Sequence, residues 1–188
     1  MKISVVIPYL EVDPGKKAVL KRCIDSMKGQ YYEVIVVPDD IKNLARKINK
    51  GLLLSTGDYI MVCNDDIIMD KGTLKDMCLE NYVVTPFVNG KSEKLIHAHM
   101  WTMSRKTLSD VGLIWEGYDR FYFDDSDYWM QIEARGYKIK QLESVNILHV
   151  HPSRTASSIL TEEMITNNRR LFIQRWGMDA FRRIYSMT

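Results

Sequence analysis

Two short runs are apolar at nearly every position: ISVVIP (3–8), ended by a proline, and the core of YEVIVVPDD (32–40). Between them KKAVLKRCIDSM (16–27) places its apolar residues at helical spacing, predicting strand, helix, strand. Runs apolar on both faces suit parallel strands covered by helices, joined by a right-handed crossover. IKNLARKINKGLLLSTG (41–57) then reads as a second helix closed by Gly57, and DYIMVCN (58–64) as a third strand. The first third is therefore expected to be βαβαβ.

Beyond Gly72 the pattern loosens. KGTLKDMCLEN (71–81) predicts a short helix and YVVTPFV (82–88) a strand. LIHAHMWTMSRKTLSDVG (95–112) predicts a strand running into a helix at 105–111, and RFYFDDSDYWMQIEARGYKI (120–139) a helix stopped by Gly136. KIKQLESVNILHVHPSRT (138–155) reads as one or two strands, and the tail from Thr161 as helical and basic. No internal repeat or linker divides the chain. One α/β domain over 1–188 is expected.

Composition narrows this little. The chain has 188 residues, 46% of them hydrophobic and 27% charged, which describes a globular domain with a real core. A formal net charge of +2 names neither nucleic acid nor an anionic membrane as a bulk partner. The opening MKISVVIPYLEVD is interrupted by Pro8 and lacks a cleavage site, so a first strand rather than a signal peptide is expected. No apolar stretch approaches the roughly 20 residues that span a bilayer, and a cytoplasmic location follows as the expectation. Cys23, Cys63 and Cys78 lack metal-type spacing and read as buried thiols.

Candidate chemistry gathers where the strands end. In open α/β sheets ligands collect at the carboxyl edge, and the three loops there carry Tyr9 and Glu11, Asp39 and Asp40, then Asn64, Asp65 and Asp66. Neither GxGxxG nor GxxxxGK[ST] follows the first strand, which argues against a dinucleotide or P-loop site. Adjacent carboxylates at a strand end repel unless a cation holds them, and Mg²⁺ or Mn²⁺ shared with a diphosphate would do so. A solvated turn is the bland alternative for Asp65–Asp66.

FDDSDYW (123–129) puts three carboxylates at a helix start. Capping suits Asp124 or Asp127. The aromatic approach suggests one acid in a part-apolar pocket with a raised pKa, and Asp125 is the candidate general base. In NILHVHPSR (146–154) the strand period carries Val145, Ile147, His149 and His151 to one face, offering nitrogen ligands to Mn²⁺. His97 and His99 have no acid nearby in sequence and suggest packing or an acceptor-side role. Of Trp101, Trp115, Tyr118, Tyr122 and Trp129, at least half are expected in the core, the others being stacking surfaces for a sugar or base.

These clusters, in this order, resemble the family-two glycosyltransferases of GT-A fold over nearly the whole chain. SVVIPYL resembles the family's first strand with its Pro-x-Tyr turn. EVIVVPDD is similar to the strand that supplies an aspartate to uracil, with Pro38 replacing the first acid. INKGLLLSTGDYIMVCNDD is similar to the run leading into the metal-binding DxD motif, with Asn64 in the first acidic position. FDDSDYW stands where Glu-Asp precedes the acceptor helix, VNILHVHPSRT resembles the strand whose histidine completes the metal site, and NNRRLFIQRWG resembles a common ending.

The resemblance implies a single GT-A domain over 1–188, with 1–66 as its nucleotide-binding part and 67–188 as its acceptor and catalytic part, a mostly parallel central sheet flanked by helices, and a metal-dependent inverting hexosyltransferase. Its donor would be a nucleoside-diphosphate sugar, expected to be UDP-linked. Pro8, Tyr9 and Asp39 would embrace the base, and Asn49, Asn64 and Asp65 would line the ribose and phosphates. Asp66 and His149, with His151 as the alternate, would hold Mn²⁺ or Mg²⁺, and Asp125 would be the base. The acceptor is left open among a glycan, a lipid-linked sugar and a modified nucleic acid. A basic tail could approach such a phosphate-bearing acceptor, although a solvated amphipathic helix packing on the sheet is favoured. A metal-dependent nucleotidyltransferase and a non-catalytic sugar-nucleotide-binding module stand as alternatives.

Overall fold

A computed structural model describes residues 1–9, 15–38, 42–92, 99–150 and 161–185. Glu11, Asp39, Asp40, His97 and His151 lie outside the described residues. The elements run β1 (Ile3–Pro8), α1 (Lys16–Ser26), β2 (Glu33–Val37), α2 (Leu44–Leu54), β3 (Tyr59–Cys63), β4 (Ile67–Lys71), β5 (Tyr82–Val88), β6 (Met100–Ser104), α3 (Arg105–Val111), α4 (Asp124–Ala134), β7 (Lys138–His149) and α5 (Glu162–Tyr185). One seven-stranded sheet has the order β2-β1-β3-β6-β5-β7-β4. The pairings β1–β2, β1–β3 and β5–β7 are parallel, while β6 and β4 each run against their neighbours. Five of the seven strands thus share one direction, as the mostly parallel expectation requires.

The period of two in β1 divides the core. Ile3, Val5 and Ile7 join Cys23 and Met27 of the α1 side, together with Met61 and Cys63. Val6 joins the opposite cluster with Ile48 and Leu52 of α2, Trp101 of β6 and Ile132 of α4. Both faces are therefore buried, which is why the strands read as unbroken apolar runs. A smaller aromatic cluster of Tyr118, Phe123 and Phe172 lies under α5.

Two glycines set close approaches. A Cβ at Gly51 would lie 2.1 Å from Val6 Cγ1, so α2 packs against β1 through that position. At Gly57 a Cβ would meet Ser4 Oγ at 2.7 Å and Lys2 O at 2.9 Å. Gly57 therefore does not cap α2, which ends at Leu54; its lack of a side chain lets the turn into β3 lie against β1.

Three local features differ from the sequence expectation. The short helix over 71–81 shrinks to a 3-10 turn at Leu74–Met77, started by a reciprocal Thr73–Asp76 cap. An unanticipated strand, β4, follows the acidic pair and runs antiparallel to β7, with Ile67 opposite His149. The alternation of β4 is short, and its pairing partner is remote in sequence. α5 packs on α4 and the loop before it through buried Met164, Asn168 and Phe172 rather than on the sheet, and a kink at Gly177 divides it.

Candidate active site

The acidic pair sits in the turn between β3 and β4, at the carboxyl edge of β3. Its backbone is fixed on both sides: Asn64 N donates to His99 O at 2.9 Å, and Val150 N donates to Asp66 O at 3.0 Å. Both carboxylates are buried, Asp65 at 5% and Asp66 at 8% exposure. Lys16 Nζ donates to Asp65 Oδ1 at 2.7 Å and lies 4.0 Å from Asp66 Oδ2. His149 Nε2 lies 3.3 Å from Asp66 Oδ1. That contact is close enough to attract but not aligned as a hydrogen bond, and Asp66 Oδ1 is buried without a donor among the described residues.

Burial alone would raise the Asp66 pKa. The adjoining His149, then Lys16 and His99, outweigh it and hold the carboxyl below its ordinary value. Asp66 thus offers an ionised, buried oxygen beside a histidine nitrogen, a mixed set that would suit Mn²⁺ better than Ca²⁺. Among the described residues no three His, Cys, Asp or Glu side chains form a metal cage. Asp66 and His149 therefore fit a divalent ion whose remaining positions are filled from outside the protein, as at a shared phosphate.

The neighbouring residues extend this edge. Asn64 Nδ2 lies 3.3 Å from His99 Nδ1, and the His99 and His149 rings are 4.2 Å apart between centroids. The expected packing role of His99 is therefore played inside the site, linking Asn64 to His149. Tyr9 follows Pro8 at the end of β1; its N–H donates to Val37 O and its carbonyl accepts from the buried Lys47 Nζ at 2.8 Å. Asn49 is committed elsewhere: Oδ1 accepts from Ile114 N, while Nδ2 donates to Ile114 O and Glu116 Oε1. Its amide positions the 114–116 loop.

The second acidic cluster opens α4. Leu44 N donates to Arg120 O, and Asn43 Nδ2 donates to Tyr118 O at 2.6 Å. These bonds tie the loop before α4 to the start of α2, which follows β2 at the same sheet edge. Arg120, Tyr122 and Phe123 there adopt positive φ of 54°, 86° and 77°, conformations unfavourable for bulky residues that persist only where their surroundings hold them. Asn168 supplies that hold: Oδ1 accepts from Asp119 N, and Nδ2 donates to the carbonyls of Asp119, Phe121 and Tyr122.

The three acids have separate environments. Asp127, fully buried, accepts from Tyr118 OH at 2.8 Å, Arg175 Nε at 2.7 Å and Trp176 Nε1 at 2.8 Å, locking α5 to α4. Asp124 is the acid in the apolar pocket expected for Asp125; burial, then the Asp125 charge, push its pKa up to about 7. Asp125 is half-buried and accepts from Ser126 N at 2.7 Å. Burial of Trp101, Tyr118 and Trp129 makes three of the five singled-out aromatics core, while Tyr122 is 44% exposed and Trp115 half-buried.

Lys16 and Lys47 were not singled out by sequence, and Asn168 entered only within the NNRRLFIQRWG ending, without a role. For the lysines the available signal was a long polar side chain on a helix face that packs inward. A surface concavity lined by Asn81, Asp110, Arg135, Gly136 and Tyr137 lies where β5 and β7 begin, at the opposite edge, and holds none of these groups. Among the described residues no helix is long and apolar enough to cross a membrane.

No family model matches the chain, and no curated protein matches it. Solved structures share its fold. The catalytic domain of Drosophila beta1,4galactosyltransferase 7, in complex with xylobiose, matches with a TM-score of 0.65 and 15% identity over 89% of this chain and 79% of that one. GalNAc-T7 with UDP, GalNAc and Mn²⁺ matches with a TM-score of 0.65 and 10% identity over 96% and 50%. The mannosyltransferase PcManGT of Pyrobaculum calidifontis, in complex with GDP-Man and Mn²⁺, matches with a TM-score of 0.63 and 13% identity over 84% and 59%. The architecture is that of the GT-A glycosyltransferases.

Proposed function

We propose that this chain is a metal-dependent glycosyltransferase that moves a hexosyl group from a nucleoside-diphosphate sugar, expected to be UDP-linked, to a hydroxyl acceptor with inversion. The observation that carries the reading is Asp66 Oδ1: buried, ionised and without a hydrogen-bond donor among the described residues, 3.3 Å from His149 Nε2 at the carboxyl edge of a GT-A sheet. The solved neighbours bound to UDP or GDP-Man with Mn²⁺ support the same donor class.

Asp66 and His149 would hold Mn²⁺ or Mg²⁺, which when bound supplies Lewis-acid stabilisation of the departing diphosphate. Pro8 and Tyr9 would flank the base, with Lys47 fixing the Tyr9 carbonyl, and Asp39, outside the described residues, is assigned to the base by the resemblance alone. Asn64 and Asp65 line the ribose and phosphates, and Asn49 shapes the site through the 114–116 loop. Asp125 accepts the proton of the acceptor hydroxyl as its oxygen bonds to the anomeric carbon. The bond from that carbon to the diphosphate breaks on the opposite face, its electron pair leaving with the nucleotide. Asp124, neutral up to about pH 7, keeps the paired acids at a single negative charge. Exposed Tyr122 offers a face to the acceptor.

Thermal stabilisation by UDP, GDP, CDP and dTDP, with and without Mn²⁺, tests the donor site. One diphosphate at about 100 times its Kd should raise Tm by about 5–10 °C only with metal, and Asp66→Ala should abolish the shift. Absence of any nucleotide shift with or without Mn²⁺ would overturn the reading.

A further inference from the structure

Lys16 has no part in the motif that suggests the donor site. It opens α1, where a positive charge opposes the helix dipole, and Gly15 before it supplies no side-chain cap. Its ammonium is also buried, at 8% exposure for the residue. Both features are unfavourable, and a lysine is kept there only if the acids it meets compensate. It meets them at 2.7 Å and 4.0 Å.

The geometry points to Lys16 as an internal counter-cation of the donor site, holding the acids together before the donor arrives and turning its charge to the donor's diphosphate afterwards. This rests on the glycosyltransferase reading and adds a positioning residue to it. The Lys16 ammonium lies 2.7 Å from Asp65 and 4.0 Å from Asp66, so a divalent ion entering alone is repelled by a cation already seated at the acids; a diphosphate entering with it offers both cations an anionic partner. Lys16 therefore weakens binding of metal alone and strengthens binding of metal with diphosphate. The flexible four-carbon stem of lysine permits its charge to serve both partners.

Calorimetric titration with Mn²⁺ alone, and with Mn²⁺ at saturating UDP or GDP, reads this directly. In the parent chain the diphosphate should tighten Mn²⁺ binding at least about tenfold, with the reciprocal effect on the nucleotide. Lys16→Met should bind Mn²⁺ alone about tenfold more tightly and show a correspondingly smaller coupling, a gain that a merely structural role does not give, while Lys16→Arg keeps the parent behaviour. Unchanged or weaker Mn²⁺ binding by a folded Lys16→Met overturns the inference. Should that variant not fold, absence of coupling in the parent chain overturns it equally. If neither diphosphate binds the parent with or without Mn²⁺, the donor-site reading itself fails; if they bind and Lys16→Met matches the parent, only the role of Lys16 fails.

Discussion

At the scale of single residues, the two acids of the FDDSDYW cluster should separate by pH. The Asp124 pKa is higher folded than unfolded, because burial and then the Asp125 charge disfavour its ionised form. The folded chain therefore holds that proton more tightly, and the stability it contributes is complete below about pH 4 and lost as pH rises from about 4 to 7. Asp124→Asn keeps an oxygen to accept from Tyr122 N and removes the titration. It should raise Tm at pH 8 by about 3 °C, the shift about 1 kcal/mol gives in a chain of this size, and leave Tm at pH 4 unchanged. Equal melting profiles for parent and variant from pH 4 to 8 contradict this assignment. Asp66 has the opposite sign: its lowered pKa adds stability above about pH 4 that is lost on acidification. The contrast also marks what sequence can tell. That Asp66 and His149 stand at neighbouring strand ends was legible, because adjacency and the strand period are local properties. The partner roles of Lys16 and His99, and the choice of Asp124 over Asp125 for the apolar pocket, were not, since each depends on which remote segment folds over the acid.

At the scale of elements, the strands and helices that read clearly are those buried on a continuous stripe: β1, β3, α2 and α4. β4 escaped because its five residues gain their partner from β7, far along the chain. The loop before α4 shows no sequence signal for its left-handed residues, none of which is glycine. Its shape comes from α5, where the fully buried Asn168 bonds to three loop carbonyls and one N–H. The Asn of NNRRLFIQRWG thus has a physical reason. Asn168→Ala should leave those groups without partners and release the strained loop, lowering unfolding free energy by about 2–4 kcal/mol in urea denaturation. Transfer activity should fall as well, because Asp124 and Asp125 begin where that loop ends. A change under about 0.5 kcal/mol, the range of ordinary surface substitutions, would show that the loop keeps its conformation without Asn168.

At the scale of the whole molecule, the two acidic clusters come from different parts of the chain and meet one sheet edge by different routes. Asp65 and Asp66 are placed by β3, β4 and β7; Asp125 is placed by α4 and held by α5. The Asp66 carboxylate meets His149 and Lys16, whereas the Asp125 carboxylate accepts from Ser126 N at the start of α4. Donor binding and the transfer step should therefore separate by mutation. Asp125→Asn is expected to keep the metal-dependent thermal shift with the nucleoside diphosphate while turnover falls about 10²–10⁴-fold, the contribution of a positioned general base. Asp66→Ala is expected to lose both. Product from the parent enzyme, followed by NMR of the anomeric proton, should carry the configuration opposite to the donor's, because a single displacement with Asp125 as base inverts that carbon. Retained configuration would mean either two successive displacements or entry of the acceptor oxygen on the face the diphosphate leaves, and Asp125 could then not be the base of a single inverting displacement. Full turnover by Asp125→Asn with inverted product would instead move the base to another group at the same edge, and Asp124, ionised above about pH 7, would be the first to exchange for Asn.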